Sequence, residues 1–201
     1  MKNVILASGS ADRQEILNRI SVPFKSIITD IDEDSFKSRI SDPIDIAKTL
    51  AQEKAKAAKK SLLEKKIEGI IIAADTLVEL NGQIIGKPLD EKDAFRILKL
   101  LINRTHNLIT GIAITETSSP KMIKDYESTK VEFLPLTDEE IRNYLKCGEW
   151  KSRAGAYSIR DKASLFIKSI EGSSSNVIGL PMHKIFEFLK QEFNLNLLNE
   201  Y

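Results

Sequence analysis

Apolar residues fall along this chain in short clusters whose spacing keeps changing, and each change marks a new element. Val4 to Ala7 is an unbroken apolar run, predicted as a short buried strand, and Ser8-Gly9-Ser10 ends it. Ile16, Leu17 and Ile20 then recur at helical spacing, predicting a helix from Ala11 to about Ile20 with Ser10 as its N-cap. Phe24 to Ile31 reads as a second strand running into the acidic stretch Asp30, Asp32, Glu33, Asp34. Asp42-Pro43 joins an N-cap to a proline at the first helical position. The helix it opens runs to about Leu63, with Ile44, Ala47, Leu50, Ala51, Ala55 and Ala58 as its apolar stripe. Ile70 to Ala74 is wholly apolar, the pattern of a strand buried on both faces, and Asp75 stands at its C-terminal end.

Asn81-Gly82 between Leu77–Leu80 and Gln83–Ile85 signals a hairpin. After Pro88, Asp90 caps a helix that faces Ala94, Ile97, Leu98 and Leu101 inward. Two long strands are expected over His106–Thr115 and Lys121–Leu134, about the turn Ser118-Ser119-Pro120. Thr137-Asp138-Glu139-Glu140 is a capping box opening a helix through Lys146. Ala163 to Ile170 reads as a strand, Glu171 to Leu180 as a loop rich in glycine and serine, and a last helix starts near Pro181. Helices interleave with hairpins and isolated strands, without internal repeats or a low-complexity linker. The fold class is therefore α/β, a mixed β-sheet with flanking helices.

Composition narrows the function classes. At 201 residues the chain suits one domain or two closely joined lobes, and its formal charge of +1 gives no bulk attraction to nucleic acid or to an anionic membrane. No stretch approaches the roughly 20 apolar residues of a membrane-spanning helix. Met1 to Leu6 reads as a strand and not as a signal peptide. The lone Cys147 rules out an internal disulfide, and without a CxxC or a Cys/His cluster no zinc site is indicated. A cytoplasmic protein is expected, with neither a nucleic-acid nor a membrane partner.

Several residues carry candidate chemistry. In Ser8-Gly9-Ser10-Ala11-Asp12-Arg13 a strand, a small-residue turn and a helix start leave backbone N–H groups at a positive dipole end, a site suited to phosphate. Both serines can donate and Arg13 adds a forked cation; a plain N-cap beside a surface arginine is the other reading. Asp75 at a strand end can hold a divalent metal or accept a proton from water, or simply cap the next turn. Glu33 can complete an oxygen-ligand metal site with Asp75, or belong to a solvated acidic loop. Lys54 stands three, four or seven residues from Ala47, Leu50, Ala51 and Ala58, which places it on the inner face of its helix. An inward lysine needs an anionic partner, which a triphosphate would supply, unless it snorkels from the stripe's edge. Lys56, Lys59, Lys60, Lys65 and Lys66 read as a solvated face. Gly86 and Pro88 fix the loop around Lys87 and can aim it; His106 and His183 read as structural, and Cys147 as passive.

Taken in order, these stretches resemble the Maf family of septum formation proteins. The resemblance rests on Leu6-Ala7-Ser8-Gly9-Ser10 with Arg13, Asp32-Glu33, Leu50-Ala51-Gln52-Glu53-Lys54-Ala55, Ala73-Ala74-Asp75-Thr76 and Gly86-Lys87-Pro88. It continues through Thr110-Gly111, Gly148-Glu149-Trp150, Ala154-Gly155-Ala156-Tyr157, Glu171-Gly172-Ser173 and Asn176 to Pro181. It implies one domain over the whole chain, with two lobes about a cleft as in the inosine triphosphatase architecture, and a homodimer. The activity it implies is hydrolysis of nucleoside triphosphates to monophosphate and pyrophosphate with Mg²⁺ or Mn²⁺. Asp75 matches the family's proposed general base, and Ser8, Arg13, Glu33, Lys54 and Lys87 match other active-site positions. Thr76 matches a specificity position of the branch that prefers dTTP and UTP. That branch usually carries a second arginine where this chain has Asp12, and glutamine where it has Arg160; Arg160 pairing with Asp12 or reaching the substrate would restore the charge balance. The expected reaction is in-line attack of water on the α-phosphorus. Asp75 and Glu33 hold the metal, or Asp75 takes the proton, while Lys54, Lys87 and Arg13 neutralise charge and the Ser8 to Ser10 turn anchors phosphate. The same chemistry on a modified purine triphosphate, or a nucleotide-binding division regulator without turnover, are the competing readings.

Overall fold

The computed structural model describes residues 2–199. Along the chain these form β1 (Val4–Ala7), α1 (Ala11–Arg19), β2 (Phe24–Ser26), α2 (Glu33–Lys37), α3 (Pro43–Glu64), β3 (Ile70–Leu80) and β4 (Gln83–Ile85). Then come α4 (Glu91–Leu101), β5 (Thr105–Glu116), β6 (Met122–Phe133), α5 (Asp138–Leu145), β7 (Ile167–Glu171), α6 (Ser174–Ile178) and α7 (Met182–Glu192). The strand order is β2-β1-β3-β5-β6-β7, with β4 on β3. β1 pairs in parallel with β2 and β3, whereas β3–β4 and β6–β7 are antiparallel, so the sheet is mixed as expected. No helix among the described residues is long and apolar enough to cross a membrane.

The residues sort into two compact units. Among the described residues, the first comprises those up to Asp75, Thr110–Glu127 and those from Gly179 on; the second comprises Thr76–Ile109 and Ser128–Ile178. In the first, α3 lays Ala51, Ala55, Ala58 and Leu62 on Ile5, Ala7, Ile71, Ala73 and Ala113. Small side chains on both surfaces bring helix and sheet close. The approach is closest at Gly111 in β5, where a Cβ would stand 2.2 Å from the carbonyl carbon and oxygen of Ala47. The second unit is built on α4 and α5, whose Ala94, Ile97, Leu98, Leu101, Ile141, Tyr144 and Leu145 are buried with Val131, Phe133 and Phe166. The Asn81-Gly82 turn takes φ of 51° and 82°, the twist that suits a two-residue hairpin. Thr137 and Glu140 make the reciprocal capping box at the start of α5.

Four boundaries differ from the sequence expectation. The strand predicted to stop before Asp75 continues to Leu80 and takes in Leu77–Leu80, because Thr76 and Glu79 reach the surface while their neighbours stay buried. Asp75 is therefore interior to β3, two residues beyond its last pairing with β1 at Ala73. β2 ends at Ser26, not Ile31, and the acidic run contains α2, capped by the Asp32 carboxylate accepting from Ser35 N at 3.1 Å. Lys162–Leu165 is a 3-10 turn and not strand, since the Glu149 carboxylate takes the N–H groups of Lys162 and Ala163. The loop predicted over Glu171–Leu180 contains α6, anchored by buried Asn176, whose side-chain amide donates to Leu108 O and to Thr129 Oγ1.

His106 is buried in the second unit, edge-on to Phe133 and Tyr157, with Nε2 at 2.9 Å from the Tyr157 hydroxyl. Burial holds its pKa down from 6.5 to about 4. The unfolded chain thus gains the proton first on acidification. This contribution to stability is whole above the free value of 6.5 and fades as pH falls through about 4.

Two outcomes are expected. Gly111→Ala, overpacked against the backbone of α3, should destabilise the protein by about 3 kcal/mol or more, read as a lowered urea midpoint. From pH 7 to pH 4 the wild type should lose on the order of 3 kcal/mol through His106, and His106→Gln should flatten that part of the stability–pH curve.

Candidate active site

β1 and β3 run side by side as far as Ala7 and Ala73. Just past that point, at the carboxyl ends of the paired segments, come Ser8 and Asp75, where open α/β sheets place their ligands. Both are buried. Lys54 comes from α3, at the edge of its alanine stripe, and its side chain is only 13% exposed. Its ammonium donates to Asp75 Oδ1 at 2.5 Å and lies 2.8 Å from Glu33 Oε1. Glu33 is the first residue of α2, and its other oxygen, Oε2, takes Lys37 Nζ at 3.2 Å. Partial burial works against the charged form of Glu33, but the hydrogen bonds and charges of Lys54 and Lys37 outweigh it and hold the pKa at about 2.

Arg13, in the first turn of α1, is buried. Its Nε donates to Gly179 O at 2.8 Å and its Nη1 to Ser8 Oγ at 3.1 Å. Burial works against its charge, while Asp75, Glu33 and Asp12 favour it, in that order. Ser8 Oγ also accepts from Ser10 N at 3.2 Å, and Ser10 Oγ accepts from Arg13 N at 3.4 Å. The sequence suggested an open helix start with free N–H groups. Instead, two of those donors are taken up by the serine oxygens, although each hydroxyl keeps its own proton to donate.

The structure therefore brings together Ser8, Ser10, Arg13, Glu33, Lys54 and Asp75, all in the first unit. Asp12 stands beside Arg13 in the first turn of α1. Thr76, Lys87 and Arg160 belong to the second unit. Thr76 follows Asp75 on β3 and is partly exposed. Lys87 is exposed in the loop after β4, whose Gly86 O accepts from Gly155 N at 3.3 Å. Arg160 is half-buried, its backbone N–H on Ser158 Oγ at 3.4 Å. Lys37 went unnoticed in the sequence. The available signal was its i,i+4 spacing from Glu33, which means something only if the acidic run is helical.

Among the described residues no group of three or more His, Cys, Asp and Glu side chains converges as an all-protein metal cage. Two carboxylates within reach of one ammonium nonetheless fit the donor set of Mg²⁺ or Mn²⁺, which take one or two carboxylates and complete their shell with phosphate oxygens and water.

The family model described as "Maf-like protein" matches residues 3–192. A dTTP/UTP pyrophosphatase of Alkaliphilus oremlandii (strain OhILAs) is 44% identical over 200 residues, covering 98% of this chain and all of that protein. A dTTP/UTP pyrophosphatase of Clostridium botulinum (strain Okra / Type B1) is 42% identical over 199 residues, again over 98% of this chain and the whole relative. The solved Staphylococcus aureus Ham1 protein matches 66% of this chain and 72% of its own at 19% identity, with a TM-score of 0.45.

Removing the buried guanidinium leaves the Gly179 carbonyl and Ser8 Oγ without its N–H groups and withdraws a positive charge from the neighbourhood of Asp75, Glu33 and Asp12. Arg13→Met is expected to lose about 2–4 kcal/mol in urea unfolding, and Arg13→Lys to recover less than half, since an ammonium cannot hold two acceptors in a fork.

Proposed function

We propose that this chain, which belongs to the Maf family, is a nucleoside triphosphate pyrophosphatase that cuts dTTP or UTP between the α- and β-phosphates. The observation that carries the reading is the Lys54 ammonium held between Asp75 and Glu33, with the charge of Arg13 favoured by the same carboxylates. Opposite charges in equal number, largely withdrawn from water, make a site that is neutral at rest and open to exchange with a polyanion.

The reaction is hydrolysis. The oxygen of a water molecule forms a bond to the α-phosphorus as the bond to the α–β bridging oxygen breaks, and pyrophosphate leaves with that oxygen. The water's proton passes to Asp75 or to solvent. Lys54 turns from the carboxylates to the incoming phosphates, which frees Asp75 Oδ1 to accept that proton. Arg13 keeps its place, because the Gly179 carbonyl and Ser8 hold it, and supplies a fixed positive field. The hydroxyls of Ser8 and Ser10 donate toward phosphate oxygens. Asp75 and Glu33 would also hold a divalent cation, Mg²⁺ or Mn²⁺, which when bound supplies charge neutralisation at the phosphates. The resemblance extends the proposal to Thr76, Lys87, Arg160 and Asp12 as substrate-binding positions, to a homodimer and to the cytoplasm. It also suggests a task in cleaning the nucleotide pool or arresting cell division.

Pyrophosphate release should be measured over a panel of canonical and modified triphosphates with Mg²⁺ or Mn²⁺. Turnover is expected to be highest with dTTP or UTP. Lys54→Ala and Asp75→Ala should each lose on the order of 10²- to 10³-fold in kcat with a folded circular dichroism spectrum. Near wild-type turnover in either variant would remove that residue from the mechanism, and preference for a modified purine would reassign the substrate.

A further inference from the structure

Glu33 differs from Asp75 in how it is held. Each of its oxygens holds a different lysine, Lys54 on Oε1 at 2.8 Å and Lys37 on Oε2 at 3.2 Å. The two lysines are not equivalent. Lys54 is shared with Asp75 and is nearly enclosed, whereas Lys37 is about one-third exposed and comes from the same short helix as Glu33 itself. Glu33 opens α2 and Lys37 closes it, a glutamate preceding a lysine by four residues, the more favourable order for such a pair.

We propose that Lys37 is a positioning residue for the reaction: it pins Glu33 by the outer oxygen, so that the carboxylate keeps its aim when Lys54 leaves it for the phosphates. The inference rests on the pyrophosphatase reading, in which Lys54 must change partners. A five-residue helix has little stability of its own. α2 is kept in place by the Asp32 cap, by its packing on α3 and by the ion pairs of Glu33. Once Lys54 turns away, Lys37 is the one side chain among the described residues still paired with the glutamate, whether or not a cation sits at its other oxygen. Without Lys37 no protein group would keep the carboxylate in its aim in the substrate complex. The loss then falls on the step after binding, and kcat suffers where KM does not.

A lysine about one-third exposed beside a polyanion site has a simpler rival use, attraction through space. That role would move KM and its salt dependence and leave kcat alone. Steady-state pyrophosphate release from dTTP by wild type, Lys37→Gln, Lys37→Arg, Glu33→Gln and the Glu33→Gln/Lys37→Gln double variant separates the two. Lys37→Gln should lower kcat roughly 10-fold with KM within about 2-fold of wild type, and Lys37→Arg should return kcat to within about 3-fold. In the Glu33→Gln background, Lys37→Gln should have no further effect, because the contact it removes is already gone. A raised KM at unchanged kcat, an additive loss in the double variant, or no loss at all would overturn the inference. If Lys37→Gln does not fold by circular dichroism, Lys37→Met takes its place: a fall in kcat at unchanged KM supports the role, and wild-type kcat refutes it. Absence of pyrophosphate release by the wild type with every triphosphate would refute the enzyme reading itself, and the role of Lys37 with it.

Discussion

A single ammonium group, that of Lys54, decides where two carboxylates from different elements stand. Charges taken out of water are stable only in company. Asp75 in β3, Glu33 in α2 and Lys54 in α3 therefore fix one another across elements that share no local hydrogen-bond ladder. The requirement propagates outward. Lys54 reaches Asp75 because α3 packs closely on the sheet. That closeness needs alanine along the helix and no side chain at Gly111, where the helix backbone rests on the strand. A valine in the stripe, or a Cβ on Gly111, would push out the whole helix and with it the lysine. The small residues that look least informative in the chain are thus what sets the reach of the most informative one.

Two kinds of cation meet these carboxylates, and their anchoring gives them different work. Arg13 is fastened at two nitrogens, to the Gly179 carbonyl and to Ser8, and cannot follow a ligand without breaking both bonds. Lys54 hangs on a flexible stem, and its partners at the site are carboxylates, which an incoming phosphate can replace in kind. A fixed guanidinium beside an exchangeable ammonium gives a field that is already oriented and a contact that moves. Catalysis by preorganised charge needs the first, and release of product needs the second.

Much of this was legible in the sequence, and the parts that were not share a cause. The Maf resemblance and the mixed α/β class follow from motifs and spacings that survive in any context. Lys54 was placed inward by its distance from Ala47, Leu50, Ala51 and Ala58, a purely helical argument. A charged residue in an apolar run looks like a terminus, which hides the continuation of β3 past Asp75. Asp75 can stay buried within the strand because a lysine 21 residues earlier in the chain compensates its charge, which no local window contains. α2 was missed for the complementary reason: four acidic residues in five read as solvated, and the helix there depends on the Asp32 cap and on the two lysines that bind Glu33. The serine turn was read as more open than it is, since nothing in Ser8-Gly9-Ser10 announces that Arg13 will fold back upon it.

Asp12 is the residue that fits a phosphate site least well by sign, and its position explains why the fold accepts it. In the first turn of α1 a carboxylate meets the positive end of the helix dipole, where it is stabilising. It also favours the charged form of Arg13, which burial opposes. An arginine at that position would add attraction for phosphate, but it would oppose the dipole and crowd a second buried-side cation against Arg13. The chain has settled the competition toward the stability of the guanidinium it already holds. On the proposed pyrophosphatase reading, the attraction for phosphate that an arginine would add at the mouth of α1 comes within the first unit from Lys54 instead.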